Sequence, residues 1–199
     1  MRTKRPRRSS TTVNPRKKNN ADRSAWDHAG RLLAARPLSR FELEQKLLQH
    51  GYEEDEVAET LERVSELGWL DDEQTARSWI EGEKRKGSHG RAWVKGKIVR
   101  RGIDETLADR LLDTLWSTGD EERFARRVLA SELAKTGGEP LTFSSGTFRR
   151  IAGALMRRGF ASQLVRELLE EAVERRQQER RESGWQRPEG WKGRRRGGS

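Results

Sequence analysis

Three glycines, Gly51, Gly102 and Gly159, bring the rest of the chain into register when the sequence is aligned on them. Apolar residues then recur at fixed distances on both sides of each glycine, with the three- and four-residue spacing of a helix. The spacing in each copy predicts one helix before the glycine and a second helix after it. Glycine is suited to the stop between them, because it readily adopts the left-handed conformation that often ends a helix. The aligned residues are Leu43, Val94 and Ile151; Leu47, Ile98 and Leu155; Leu48, Val99 and Met156; Tyr52, Ile103 and Phe160; Val57, Ala108 and Val165; Leu61, Leu112 and Leu169; and Val64, Leu115 and Ala172.

A further amphipathic segment precedes each pair, so each repeat is predicted to contain three helices. We assign repeat 1 to residues 25–68, repeat 2 to 69–118 and repeat 3 to 119–178, where a Gly-Gly-Glu-Pro insertion at 137–140 predicts a longer loop. One such repeat buries little surface alone, so neighbouring repeats are expected to stack. The predicted fold is therefore all-α, with three tandem three-helix repeats stacked into an elongated, curved body.

Predicted helix starts carry side chains that can accept hydrogen bonds from the free N–H groups of the first turn. Carboxylates also gather there, as at residues 53–56, where they complement the helix dipole. This placement favours a structural role over a catalytic pair. The predicted caps are Ser39 with Glu42, Asp71 with Gln74, Asp104 and Ser162.

The net charge of +10 is carried by the two ends of the chain, and the body between them is slightly acidic. Residues 1–24 and 179–199 have few side chains that could bury apolar surface, so we predict two disordered basic tails. The second tail also carries Trp185 and Trp191, which could stack on the bases of single-stranded nucleic acid while basic residues neutralise phosphates. A tail that only improves solubility is the alternative.

Several functional classes are unsupported by this sequence. There is no cysteine, and His28, His50 and His89 are far apart in the chain, so we expect surface histidines and no metal or other cofactor. No motif of a known catalytic mechanism is present. No apolar run could span a membrane or serve as a signal peptide. We therefore expect a soluble, cytoplasmic, monomeric binding protein that is not an enzyme.

Basic residues are concentrated in the second repeat, while the first is acidic. A charge gradient of this kind would orient the body on a partner of mixed charge. An ordinary solvated helix face is the alternative. The candidate partner or DNA contacts are Arg77, Lys84, Arg85, Lys86, Arg91, Lys95, Lys97, Arg100 and Arg101, with a smaller cluster of Arg149, Arg150, Arg157 and Arg158 in repeat 3.

Three helices with a sharp turn could also indicate a helix-turn-helix DNA reader. In that motif the start of the last helix faces the bases and is surrounded by phosphates. Acidic residues occupy this position at 53–56 in repeat 1 and at 104–105 in repeat 2, so these two repeats are not expected to read DNA sequence. Only repeat 3, with Ser162, Gln163 and Arg166, meets the requirement.

Two stretches of the chain closely resemble the RecX family, over roughly residues 25–174. One covers residues 32–52, and the other is the central signature, from which the chain departs at Thr75, Glu83 and Trp93. The departures at 83 and 93 put in doubt any basic contact carried there. The signature stretch comprises Leu67 to Asp72, Ala76, Trp79-Ile80, Arg85-Lys86-Gly87, Gly90 and Arg101-Gly102-Ile103, and its marker residues are Gly68, Leu70, Asp71, Asp72, Ala76, Gly87, Gly90 and Gly102.

This resemblance implies a cytoplasmic bacterial regulator of the RecA recombinase. Members of the family bind along the helical groove of the RecA filament on single-stranded DNA and restrain its ATPase, filament growth and strand exchange. The alternative hypothesis is a nucleic-acid-binding protein that acts through its basic tails and basic helices without RecA.

Overall fold

The structure is a computed structural model that describes residues 24–137 and 141–182. All regular structure within these residues is helical, so the all-α prediction is confirmed, and each predicted repeat contributes three helices. Repeat 1 comprises α1 (Ala25–Ala35), α2 (Arg40–Gln49) and α3 (Glu54–Glu66); repeat 2 comprises α4 (Asp72–Lys86), α5 (Arg91–Val99) and α6 (Glu105–Leu115); repeat 3 comprises α7 (Thr118–Ala134), α8 (Gly146–Arg157) and α9 (Ser162–Glu182).

The chain divides into two compact units, Met1–Thr75 and Ala76–Ser199. In the second unit, repeats 2 and 3 share one apolar core, as the stacking of neighbouring repeats predicts. The first unit has a core of its own, formed by buried residues of repeat 1. That core consists of Ala25, Ala29, Leu38, Leu43, Leu47, Val57, Leu61 and Val64.

The three aligned glycines end their helices in the same way. Gly51 has φ +90° and donates its N–H to Leu48 O at 2.9 Å, while Tyr52 donates to Leu47 O at 3.4 Å. The same two backbone bonds recur at Gly102, with φ +87°, and at Gly159, with φ +80°. This double bond pattern satisfies carbonyls that a helix end leaves free, and it requires a left-handed residue.

Three of the four predicted caps are confirmed. Ser39, Asp71 and Asp104 accept hydrogen bonds from backbone N–H groups three residues later, at 3.1, 2.9 and 3.0 Å. The prediction at Ser162 was wrong, because α9 already begins there and Ala161 is the residue before it. Ala161 stands two residues after its glycine, as Asp104 does, so repeat 3 has a side chain at this position that cannot cap.

The last helix, α9, continues to Glu182, and residues 179–182, which we assigned to the C-terminal tail, are therefore helical. Glutamate, arginine and glutamine favour helices, and Gln178 bonds Glu182 one turn later at 2.9 Å. Both predicted tails otherwise lie outside the described residues, except Ser24, as do Trp185, Trp191 and residues 138–140 of the insertion. No helix in the described part of the chain is both long enough and apolar enough to cross a membrane.

Candidate functional site

The predicted basic contacts divide into two groups, and Lys84 represents the first, whose charges are used inside the protein. The ammonium of Lys84 on α4 donates to Leu115 O and lies 2.8 Å from Asp120 Oδ2 on α7. Hydrogen bonds from Lys84 and Ser117 outweigh the opposing effect of burial and lower the pKa of Asp120 to about 2. Lys84 therefore joins repeat 2 to repeat 3.

Glu83, also on α4, is a second internal anchor for basic residues. Its side chain is only 5% exposed, and its Oε1 accepts hydrogen bonds from both Lys86 and Lys97 at 2.7 Å. Burial alone would raise the pKa of Glu83, but these two bonds and the charges of both lysines hold it below its ordinary value. A paired carboxylate explains why an acidic residue is tolerated at this position.

His89 connects Glu83 to Trp93, and both of these positions depart from the family signature. The imidazole stacks face to face on the Trp93 indole, with ring centroids 3.6 Å apart, and its Nδ1 lies 3.5 Å from Glu83 Oε2. Burial lowers the pKa of His89 more than the nearby carboxylate raises it. Two of the three departures, Glu83 and Trp93, therefore meet in one cluster. The isolation of His89 in the sequence predicts an ordinary surface histidine, and its four-residue spacing from Trp93 was the signal available for the cluster.

Two basic residues of α5 are engaged by acidic residues of the neighbouring helix, α6. Arg91 Nη2 lies 2.6 Å from Asp113 Oδ1. Lys95 Nζ lies 2.8 Å from both Glu105 Oε1 and Asp109 Oδ2, and hydrogen bonds to these carboxylates raise the pKa of Lys95. These pairs are partly exposed, so each contributes little to stability, but they neutralise the charge that a partner would meet.

Two arginines that end the middle helices are also held internally. The guanidinium of Arg101 lies 3.4 Å from the centre of the Trp79 ring. Arg158 lies 3.7 Å from Glu132 Oε1 and donates to Ser88 O at 3.5 Å. Arg77 is half-buried and also has a contact within the protein.

The remaining five candidates form the second group, which we call the free arginines. They are exposed, and their side chains form no ion pair or hydrogen bond with the described residues. All five belong to the second unit. The free arginines are Arg85 on α4, Arg100 at the end of α5, and Arg149, Arg150 and Arg157 on α8.

The end of α8 packs against the start of α5 through the backbone. Gly90 donates its N–H to Arg158 O at 2.8 Å, and a Cβ on Gly90 would lie 2.3 Å from Gly159 O. A Cβ on Gly159 would in turn lie 2.3 Å from the nitrogen of Trp93. Only glycine fits at either position, which gives the signature residue Gly90 a structural explanation.

The other signature residues also act in the fold. Gly68, Gly87 and Gly102 have positive φ, Ala76 is fully buried, and Leu70 packs against the core of the first unit. Asp71 caps α4, and Asp72 accepts a hydrogen bond from the backbone of Arg40 at 2.8 Å. Burial raises the pKa of Asp72 despite this bond. These marker residues therefore have roles in the architecture.

An apolar pocket of about 490 Å³ lies between repeats 2 and 3 in the second unit. Trp116 and Phe160 are buried along it, while Met156 at its edge is 50% exposed. Glu121 accepts hydrogen bonds from the indole N–H of Trp116 at 2.6 Å and the backbone N–H of Arg91 at 2.9 Å. The polar groups are therefore already satisfied, and the space suits an apolar group.

In the first unit the prominent surface feature is aromatic. Trp69 is 51% exposed and stacks on Trp26, with centroids 5.1 Å apart, while the Arg63 guanidinium lies 4.4 Å from the Trp26 ring. His28 and His50, distant in sequence, are brought together with ring centroids 4.1 Å apart. Even so, no group of three acidic or histidine side chains within residues 24–137 and 141–182 could hold a metal ion.

These features define an all-helical protein of tandem three-helix repeats, in whose described residues the free arginines lie on repeats 2 and 3. A family model described as RecX, first three-helix domain, matches residues 25–63. The regulatory protein RecX of Mycobacterium sp. (strain JLS) is 32% identical over 165 residues, covering 80% of this chain and 87% of that protein. The regulatory protein RecX of Trichlorobacter lovleyi is 31% identical over 140 residues, covering 70% and 90%. The chain therefore belongs to the RecX family.

Solved structures agree on the fold. The crystal structure of RecX from Lactobacillus salivarius superposes with a TM-score of 0.65 at 18% identity, over 75% of this chain and 94% of that chain. A second crystal structure of a regulatory protein RecX superposes with a TM-score of 0.66 at 17% identity, over 72% and 70%.

Proposed function

We propose that this protein binds the RecA recombinase filament on single-stranded DNA and inhibits its ATPase, filament growth and strand exchange. The observation that carries the proposal is family membership over most of the chain, with relatives named as regulatory proteins. The resemblance of residues 32–52 and of the central signature implies RecA as the regulated partner. DNA repair and recombination are then the processes in which the protein acts.

The charge distribution supports a partner that carries both protein and DNA. The first unit offers an acidic surface with the exposed Trp69, and repeats 2 and 3 offer the free arginines. Tryptophan and arginine are the residues most enriched among strong contacts at protein interfaces. Opposite charge on different repeats favours one orientation of the protein along a filament.

Three nearly buried acidic side chains of the second unit have the properties of structural groups and not of catalytic ones. Glu83, Asp120 and Glu132 are nearly buried, and each is paired with lysine or arginine that holds its pKa below the ordinary value. A general acid or base would need a pKa near neutrality. These three carboxylates therefore serve the fold.

A titration of RecA ATPase on single-stranded DNA tests the proposal directly. The full chain, added up to an equimolar ratio with RecA, should lower the rate of ATP hydrolysis and slow strand exchange. The chain without RecA provides the control and should hydrolyse no ATP. If both RecA activities stayed unchanged at equimolar protein, the proposed function would be wrong.

A chain restricted to residues 24–182 separates this proposal from the alternative based on the tails. It retains every described contact, including both cores, so it should still inhibit RecA. The alternative predicts the opposite, with both DNA binding and inhibition lost when residues 1–23 and 183–199 are removed.

A further inference from the structure

The middle helices of repeats 2 and 3 end in the same three residues, Arg-Arg-Gly, at 100–102 and 157–159. In both copies the second arginine is turned to the protein, where Arg101 lies over Trp79 and Arg158 pairs with Glu132. The first arginine in both copies is a free arginine. In each of these two repeats, therefore, the first arginine is external and the second is internal.

The external arginine lies over a glycine four residues earlier in both copies. A Cβ on Gly96 would lie 3.2 Å from Nη1 of Arg100, and a Cβ on Gly153 would lie 3.1 Å from Nη1 of Arg157. Each guanidinium thus lies along its helix where any side chain would crowd it. Repeat 1 has no such pair, because Gln45 and Gln49 occupy the equivalent positions.

Stabilisation of the helix end is one reason to place arginine there, since cations complement the negative end of the helix dipole. Arg101 and Arg158 already provide this charge in both repeats. Arg100 and Arg157 have no carboxylate partner among the described residues, so they do not serve as surface ion pairs either. Their recurrence in two repeats is therefore unexplained by the fold.

We propose that Arg100 and Arg157 bind phosphates of one single-stranded nucleic acid directly, one phosphate at each repeat. The planar guanidinium matches phosphate geometry and can donate two parallel hydrogen bonds. Two equivalent guanidinium groups are best matched by a polymer that repeats the same anion. The phosphodiester backbone of a nucleic acid is such a polymer, with one phosphate per nucleotide. This contact goes beyond regulation of RecA, because it requires no recombinase.

Binding of a fluorescent oligothymidylate to the full chain, titrated at several salt concentrations without RecA, tests the inference. The double variant R100Q/R157Q should bind about five- to tenfold more weakly at low salt. The slope of log K against log salt concentration should become shallower by roughly 1.4, or about 0.7 for each lost phosphate contact. The lysine variant R100K/R157K should retain most of the slope, since the charges remain, but should bind less tightly.

The matched control is R110Q/R127Q, which removes two other exposed arginines of the second unit that are not candidate contacts, with the same change in net charge. Its affinity and slope should stay close to those of the unchanged chain. Equal losses in both double variants would overturn the inference, because general attraction to a basic protein would then explain the binding. An R100Q/R157Q variant with normal DNA affinity but weakened RecA binding would also overturn it, and would indicate an acidic protein surface as the partner.

Discussion

Repeat 1 and the pair formed by repeats 2 and 3 bury apolar residues at the same four of the seven aligned positions, but they use charge differently. In repeats 2 and 3, the nearly buried carboxylates Glu83, Asp120 and Glu132 hold basic side chains, and one of these pairs joins α4 to α7. In repeat 1 every buried residue except Ser39 and Thr60 is apolar. The apolar register alone is therefore sufficient to form a three-helix repeat. Charge pairs are added where two repeats share a core.

The largest expected effect compares the same glycine position in two repeats. Gly159→Ala should destabilise the second unit by roughly 3 kcal/mol or more, for two reasons. A Cβ there would collide with the backbone of Trp93, and alanine would have to adopt a left-handed conformation. Gly51→Ala, with nothing within 4 Å of its Cβ, should cost only about 1–2 kcal/mol. Urea unfolding followed by tryptophan fluorescence measures both. Equal costs would show that backbone packing between repeats 2 and 3 is unimportant.

The next effect concerns the ion pair between repeats. Asp120→Asn should cost about 2 kcal/mol at neutral pH, since it leaves Lys84 without its carboxylate partner. The folded-state pKa of Asp120 is lowered to about 2 from its ordinary value of 3.8, so this contribution is complete above about pH 4 and is lost as the pH falls towards 2.

The measurement for Asp120 is the unfolding free energy of the chain and of the variant between pH 7 and pH 2. The difference between them should shrink in the acid range and nowhere else. A difference that stayed constant down to pH 2 would contradict the low pKa. Lys84→Gln should reduce stability in the same way and leave affinity for DNA nearly unchanged, since Lys84 is used internally.

A smaller effect is expected at the start of α9, where repeat 3 lacks the cap that Asp104 provides in repeat 2. Ala161→Asp should stabilise the protein by about 0.5–1 kcal/mol, and Asp104→Ala should destabilise it by a similar amount. Thermal unfolding of the two single variants tests this symmetry. A destabilising Ala161→Asp would show that the pocket beside Ala161 does not accept a carboxylate.

The smallest effect would transfer the external arginine to repeat 1. The double variant Q45G/Q49R should bind single-stranded DNA about two- to threefold more tightly than the unchanged chain, because it supplies one additional phosphate contact. Q49R alone is the control, since it adds the same charge while Gln45 remains one turn earlier and its side chain can crowd the new arginine. An equal gain in both variants would show that net charge, and not the glycine, determines the result.

The sequence was sufficient for those features that depend on neighbouring residues. The positions of Leu47, Ile98 and Leu155 in the cores, the three glycine stops and the caps at Ser39, Asp71 and Asp104 all follow from local spacing. The error at Ser162 was a shift of one residue at a helix boundary. Serine was predicted as the cap because its side chain can accept a hydrogen bond, whereas that of Ala161 cannot.

The division of the basic residues could not be predicted, because it depends on contacts between distant segments. Lys84 and Arg100 are equally basic in sequence, and only the placement of Asp120 on α7 makes one internal while the other stays exposed. The same holds for Gly90 and Gly159, whose close approach has no local signal. Charge patterns therefore indicated a candidate region, and tertiary structure was needed to separate its internal basic residues from its exposed ones.

The contact between the start of α5 and the end of α8 also has a consequence for synthesis of the chain. Arg158 donates to Ser88 across a sequence separation of 70 residues, so repeat 2 cannot complete its packing until repeat 3 has left the ribosome. The first unit has its own core, against which Leu70 packs, and it needs no segment after Thr75 for this core. We therefore expect the nascent protein to fold in two stages, with the apolar face of repeat 2 exposed to chaperones during the interval.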